Sequence, residues 1–152
     1  MDRSLLAPAV AFAAVTAYGS AVALRHDLPS EPLGHRFPPL PVPLSLSAGL
    51  SAGTAAPWPM PLATLLAAVS ARPGGSAPGR VCAWVGAALI SGTLVEPLTW
   101  GRRSHEAAAL ATVPLNLLVG AWLVAAGAGP RPDRLTRRSR RLAPPRSVRS
   151  RP

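Results

Sequence analysis

The feature that most constrains this chain is a series of long apolar blocks. Residues 5–24 contain three polar side chains, those of Thr16, Tyr18 and Ser20. As an α-helix this block rises about 30 Å, which matches the thickness of the hydrocarbon core of a membrane. Because the cores of soluble proteins are built from shorter periodic patterns, the block predicts an all-α integral membrane protein.

Later apolar blocks predict three more membrane helices, so residues 1–129 are expected to form a four-helix transmembrane domain. The connection between the last two blocks is short, which predicts that helices three and four pack antiparallel as a hairpin. The four predicted helices lie at about 5–24, 58–72, 80–100 and 105–129.

The second apolar block is interrupted by three prolines, Pro57, Pro59 and Pro61. Proline is tolerated at the start of a helix, but inside a helix it removes a hydrogen-bond donor and clashes with the preceding turn. The membrane helix is therefore expected to begin near residue 58. The stretch 44–56 before it is expected to be interfacial or re-entrant.

The first block has a second interpretation, as a cleaved signal peptide. Arg3 supplies a positive charge before the block, and Ala21-Val22-Ala23 resembles a cleavage site. However, the block is longer than the apolar region of a signal peptide, and Asp2 offsets the charge of Arg3. A retained helix is the favoured interpretation, and cleavage is the alternative.

Charge is concentrated at the C-terminus. The chain is 49% hydrophobic yet carries a net charge of +10, and nine of its sixteen basic residues lie in 130–152. All sixteen are arginines, a bias that a high-GC genome would produce. The polar composition predicts that 130–152 is a disordered tail. The positive-inside rule predicts that both termini lie in the cytoplasm. The membrane is expected to be the plasma membrane of a cell such as a bacterium.

The Arg-rich tail also suggests a partner. Basic clusters next to a membrane helix attract anionic lipid headgroups, and the residues predicted to make this contact are Arg137, Arg138, Arg140 and Arg141. Nucleic acid attracts such a tail by counterion release. Because no aromatic side chain lies among these arginines to stack on bases, the sequence argues against nucleic acid.

One carboxylate, Glu96, is predicted to lie inside a membrane helix, about 6 Å from its outer end. Across the predicted hairpin it is level with Thr112, so Thr93, Glu96, Thr112 and Asn116 are expected to form one polar cluster. Intramembrane ionisable groups often mark ion or substrate paths. The alternative is structural, because Pro97 disfavours helix at residue 96 and Arg103 is a nearby ion-pair partner.

Polar residues of the outer loops form a weaker candidate, with histidines and carboxylates of the kind that bind zinc. They are His26, Asp27, Glu31, His35, His105 and Glu106. Their spacing matches no diagnostic metal motif, so no metal site and no cofactor are predicted. The nucleotide-binding loops, nucleophile elbow and zinc-protease motif of common enzymes are missing from the sequence.

Three functional hypotheses follow. The first is a non-enzymatic structural or accessory component of the membrane, present as a homo-oligomer or within a larger membrane complex, because small residues throughout the helices permit close packing. The second is a small oligomeric transporter that uses Glu96 to bind an ion or a proton. The third, and weakest, is a membrane enzyme that uses the outer histidines and carboxylates.

Overall fold

The structure is a computed structural model that describes residues 3–37, 39–72, 76–102 and 106–129. This part of the chain is helical and contains no β-strand. Two 3₁₀ turns, Pro32–Gly34 and Pro97–Trp100, connect longer helices. The five α-helices are α1 (Arg3–His26), α2 (Val42–Ser47), α3 (Pro59–Ser70), α4 (Ala77–Val95) and α5 (Ala107–Ala128).

Helix α1 packs against α3 and α5 and supplies the largest buried side chains. Leu5, Ala9 and Phe12 are fully buried in one core cluster with residues of the other long helices. The helix ends where Asp27 adopts a left-handed conformation (φ 47°) and the Leu28 N–H donates to the Ala23 backbone oxygen at 3.0 Å. This hydrogen bond, which closes a turn of six residues, satisfies one of the carbonyl groups that a helix end leaves without a partner.

Helices α4 and α5 approach each other through glycines. A Cβ at Gly86 would lie 2.5 Å from the backbone oxygen of Gly120, and one at Gly127 would lie 2.3 Å from that of Gly79. The absence of side chains at these positions lets the two backbones touch, as small residues do in membrane helix pairs.

Helix α4 ends at Val95, earlier than the predicted end at residue 100. Glu96 has extended backbone angles (φ −76°, ψ 132°), and Pro97 begins the following 3₁₀ turn. The reason is the proline ring, which sterically disfavours the α conformation of the residue before it. Glu96 therefore lies at the end of α4 and not inside a helix as predicted, and the alternative of a helix end at this position describes the structure.

The stretch 44–56 contains the end of α2 and an irregular buried segment. Gly49 ends α2 in a left-handed conformation (φ 74°), and the Leu50 N–H donates to the Ser45 backbone oxygen at 2.9 Å. The segment that follows lies against α1, where the Thr54 hydroxyl donates to the Gly19 backbone oxygen at 2.6 Å. A side chain at Gly19 would leave no room for this approach, because its Cβ would collide with the Thr54 backbone.

Helices α1, α4 and α5 are long and apolar enough to cross a membrane, which indicates a membrane location. Helix α3 is apolar but has only 12 residues. At about 1.5 Å per residue it rises roughly 18 Å, less than the ~30 Å hydrocarbon core.

Candidate functional site: a polar-ended cavity

A cavity of about 290 Å³ lies between the C-terminal end of α4, the N-terminal half of α5 and the loops next to them. Leu89 of α4 and Val113 of α5 contribute apolar wall, and the segment 51–57, Ser30 and Met60 also line the cavity, which is partly open. Binding sites for small molecules commonly have this composition, an apolar enclosure with a few polar groups.

The four residues of the predicted polar cluster, Thr93, Glu96, Thr112 and Asn116, all line this cavity. Thr93, Thr112 and Asn116 are buried, and Glu96 is half-buried. Although Glu96 lies beyond the end of α4, its position at the start of the 3₁₀ turn still brings it to the cavity wall. The structure thus places all four residues on the wall of one cavity, and their role as a site stays a prediction.

The carboxylate of Glu96 is held by the first loop. The Ser30 hydroxyl donates to one carboxylate oxygen at 2.7 Å, and the Glu31 N–H donates to the other at 3.1 Å. Hydrogen bonds that involve an ionised group contribute more than neutral ones, about 1.5–3 kcal/mol each. These two bonds fasten the loop between α1 and α2 over the end of α4, so Glu96 has a structural role.

Several hydroxyl groups on the cavity wall already donate their hydrogens to protein acceptors. Thr93 donates to the Leu89 backbone oxygen at 2.8 Å, and Thr112 donates to that of Ala109 at 2.6 Å. Ser30, Thr54 and Thr99 also donate, and their acceptors are the Glu96 carboxylate and the backbone oxygens of Gly19 and Thr93. These five side chains therefore offer lone pairs, not hydrogens, to a cavity occupant. The sixth hydroxyl of the wall is that of Ser51.

Asn116 adds an amide oxygen that accepts no hydrogen bond from the residues that the structure describes. Its side chain is buried. A buried polar atom left in this condition costs about 1–3 kcal/mol. The Thr16 hydroxyl is also without a partner within the described ranges, but it does not line the cavity. Asn116 is thus a buried acceptor at a cavity wall.

Other predicted features cannot be placed at this site. Arg103 and His105 lie outside the described residues, as do the four tail arginines predicted to contact lipid, Arg137, Arg138, Arg140 and Arg141. Of the outer-loop candidates, Glu31 contributes its backbone N–H to Glu96. Among the residues that the structure describes, no three His, Cys, Asp or Glu side chains lie close enough together to hold a metal ion.

Sequence reasoning missed two parts of the site. One is Ser30, which lies 66 residues from Glu96 along the chain, in a loop whose polar residues carry no motif. The other is the segment 51–57, whose alanines and glycine look like a featureless apolar run. The prolines that end this run were the only available signal, since they predicted that the membrane helix begins near residue 58 and that 44–56 is a separate, interfacial or re-entrant stretch.

Comparison with known proteins identifies no relative: no family model, no curated protein and no solved structure matches the chain.

Proposed function

We propose that this protein is a non-enzymatic structural or accessory component of the cell membrane that crosses the bilayer four times. The proposal has both termini in the cytoplasm and α4 and α5 as a hairpin. It rests on the outward faces of the helices, which carry large exposed apolar side chains. Those on α3 are Leu62, Leu66 and Val69, and those on α4 and α5 include Val81, Trp84, Leu118 and Trp122.

This surface suits lipid tails or other membrane helices. An apolar patch of such extent on a soluble monomer would cause association, whereas in a bilayer it needs no further cover. Helix α3 is exposed in the same way as the longer helices, with apolar side chains recurring at helical spacing. The buried segment 51–57 precedes it directly, so the two together supply the depth for a fourth crossing.

Purification in mild detergent followed by native mass spectrometry tests the accessory role. We expect the chain to be recovered as a homo-oligomer or in a stoichiometric complex with another membrane protein, with anionic lipid bound. Recovery as a monomer without partner protein, from native membranes and at several detergent concentrations, would contradict the proposal.

The cavity favours a second candidate, a small oligomeric transporter that uses Glu96 as its ion-binding carboxylate. A half-buried carboxylate at the outer end of an apolar cavity is the arrangement expected of a cation entry site. The structural role of Glu96 competes with this function, since both of its oxygens already accept hydrogen bonds from the first loop.

Flux measurements in proteoliposomes separate the two roles of Glu96. The variants are Glu96→Gln, which removes the charge, and Ser30→Ala, which removes a loop donor and keeps the carboxylate. Transport through the carboxylate predicts that ion-gradient-driven flux is lost in Glu96→Gln and retained in Ser30→Ala at equal protein incorporation. Equal flux in Glu96→Gln and the parent protein excludes this mechanism.

A further inference from the structure

We propose that the cavity between α4 and α5 binds a small neutral molecule that joins a carboxamide group to a compact apolar body. A carboxamide carries N–H donors and an acceptor oxygen without a net charge. The cavity offers the matching set, because its polar residues present both donors and acceptors and the rest of its wall is hydrocarbon. This inference goes beyond the proposed function, since binding requires the cavity alone and holds whether or not the protein carries a solute or joins a complex.

Asn116 is the residue that points most directly to such a ligand. Its side chain is more than nine-tenths buried and lines the cavity, and its amide oxygen accepts no hydrogen bond from the described residues. The same amide carries two N–H donors. Two amides pair through N–H···O bonds in both directions, so a ligand carboxamide supplies a partner for each kind of group on Asn116.

The neighbouring wall repeats this mixture of donors and acceptors. Thr112 lies one turn before Asn116 on α5, so the two residues share one face of the helix. The Thr112 hydroxyl donates to the Ala109 backbone oxygen at 2.6 Å and therefore offers lone pairs to an occupant. Ser51, in the segment before α3, adds a hydroxyl that can donate as well as accept.

A charged group of either sign fits this wall less well than a neutral one. An ammonium ion has no lone pair for the N–H groups of Asn116 or for the hydroxyl hydrogen of Ser51. A carboxylate has no hydrogen for the Thr112 oxygen, and it would face Glu96, while none of the described residues that line the cavity is basic. Glu96 is itself held by hydrogen bonds from the first loop, so the polar wall does not require a cation.

The apolar wall and the volume set the size of the ligand body. Leu89, Met60 and Val113 supply aliphatic surface, and the hydrocarbon part of a ligand gains free energy by covering it. A cavity of about 150 Å³ accepts benzene. The volume here is about 290 Å³, which leaves room for a six-membered ring with a carboxamide attached. Because the cavity is partly open, such a compound can enter without displacing a helix.

Binding of cyclohexanecarboxamide to the purified full chain in detergent tests the proposal, with equilibrium dialysis against empty micelles as the background. We expect saturable binding with one site per chain. Three compounds share its heavy-atom skeleton and differ in the polar group. Cyclohexyl methyl ketone lacks the donors and should bind about threefold to tenfold more weakly. Cyclohexanecarboxylate and 1-cyclohexylethylammonium carry opposite charges, and each should bind at least about tenfold more weakly.

Two outcomes of this comparison would overturn the proposal. Binding that does not saturate above the micelle background would mean that the cavity holds water or lipid only. Equal affinity for the carboxamide and any of the other three compounds would mean that recognition does not depend on a neutral group with donors and acceptors. The comparison uses the unmodified protein, so it does not depend on the folding of any variant.

Two variants locate the site. Asn116→Leu removes the amide at nearly constant volume and should weaken carboxamide binding about tenfold. Thr112→Val removes one acceptor at nearly the same shape and should weaken binding about threefold. Ser91→Ala is the control, because Ser91 also donates to a backbone oxygen of α4 but is exposed and does not line the cavity. Unchanged affinity in Asn116→Leu, or an equal loss in Ser91→Ala, would contradict binding at this cavity.

Discussion

At the scale of single residues, Glu96 shows how one proline determines the role of a carboxylate. Pro97 ends α4 at Val95 and leaves the Glu96 backbone extended. The side chain then reaches the first loop, where Ser30 and the Glu31 backbone donate to it.

The contact between Ser30 and Glu96 predicts a measurable coupling. In a double-mutant cycle of Ser30→Ala and Glu96→Ala, each single variant should lose about 1.5–3 kcal/mol of unfolding free energy, and the double variant should lose less than the sum. Unfolding in detergent, followed by circular dichroism, supplies the four free energies. Strict additivity would mean that the two groups do not interact.

At the scale of helices, the α4–α5 contact depends on backbone approach. The Cβ that an alanine adds at Gly86 would lie 2.5 Å from a backbone oxygen of α5. Backbone cannot rotate away as a flexible side chain does, so the two helices must separate. Gly92 lies on the same helix with nothing within 4 Å of its added Cβ.

These two glycines give a matched pair of variants. Both substitutions by alanine raise the helix propensity of α4 by about 1 kcal/mol. Gly86→Ala should nevertheless lower the unfolding free energy by about 1–3 kcal/mol through overpacking, whereas Gly92→Ala should leave it unchanged or raise it. Thermal unfolding of the purified variants measures the difference, and equal midpoints for the two would rule out close α4–α5 packing at Gly86.

At the scale of the whole molecule, charge and apolar surface lie in different parts of the chain. Nine of the sixteen arginines belong to 130–152, and the remaining seven are divided between the two predicted sides of the membrane, three inside and four outside. The tail therefore determines the orientation that the positive-inside rule predicts.

Cysteine labelling tests this orientation and the fourth crossing together. Cys82 is buried, so the background is Cys82→Ser with one reporter, either Phe37→Cys in the first loop or Ser76→Cys between α3 and α4. An impermeant maleimide applied outside intact cells should label residue 37, while residue 76 should be labelled only after permeabilisation. Labelling of both from outside would mean that α3 does not cross.

The same reporters measure the contribution of the tail. Replacing its nine arginines by glutamine should produce a mixed population, in which residue 76 becomes accessible from outside in a fraction of the molecules. Unchanged labelling would show that the first helix sets the orientation instead.

The sequence by itself determined the elements whose causes are local. An apolar block long enough to cover the hydrocarbon core predicted α1, and proline chemistry predicted a helix that begins near residue 58, where α3 begins at Pro59. The same argument, applied to Pro97, predicts that α4 ends near Val95, whereas the length of the apolar block predicted a helix that continues to residue 100.

Only the tertiary structure decided what surrounds Glu96 and Asn116. Hydrophobicity and proline act within a few residues, so they place helix ends but do not pair a serine with a carboxylate 66 residues away. The same holds for the segment 51–57, which becomes a cavity wall because Gly19 of α1 leaves room for it. Apolar attraction has no direction, and the side chains of a cavity are specified only when packed helices and loops bring distant residues together.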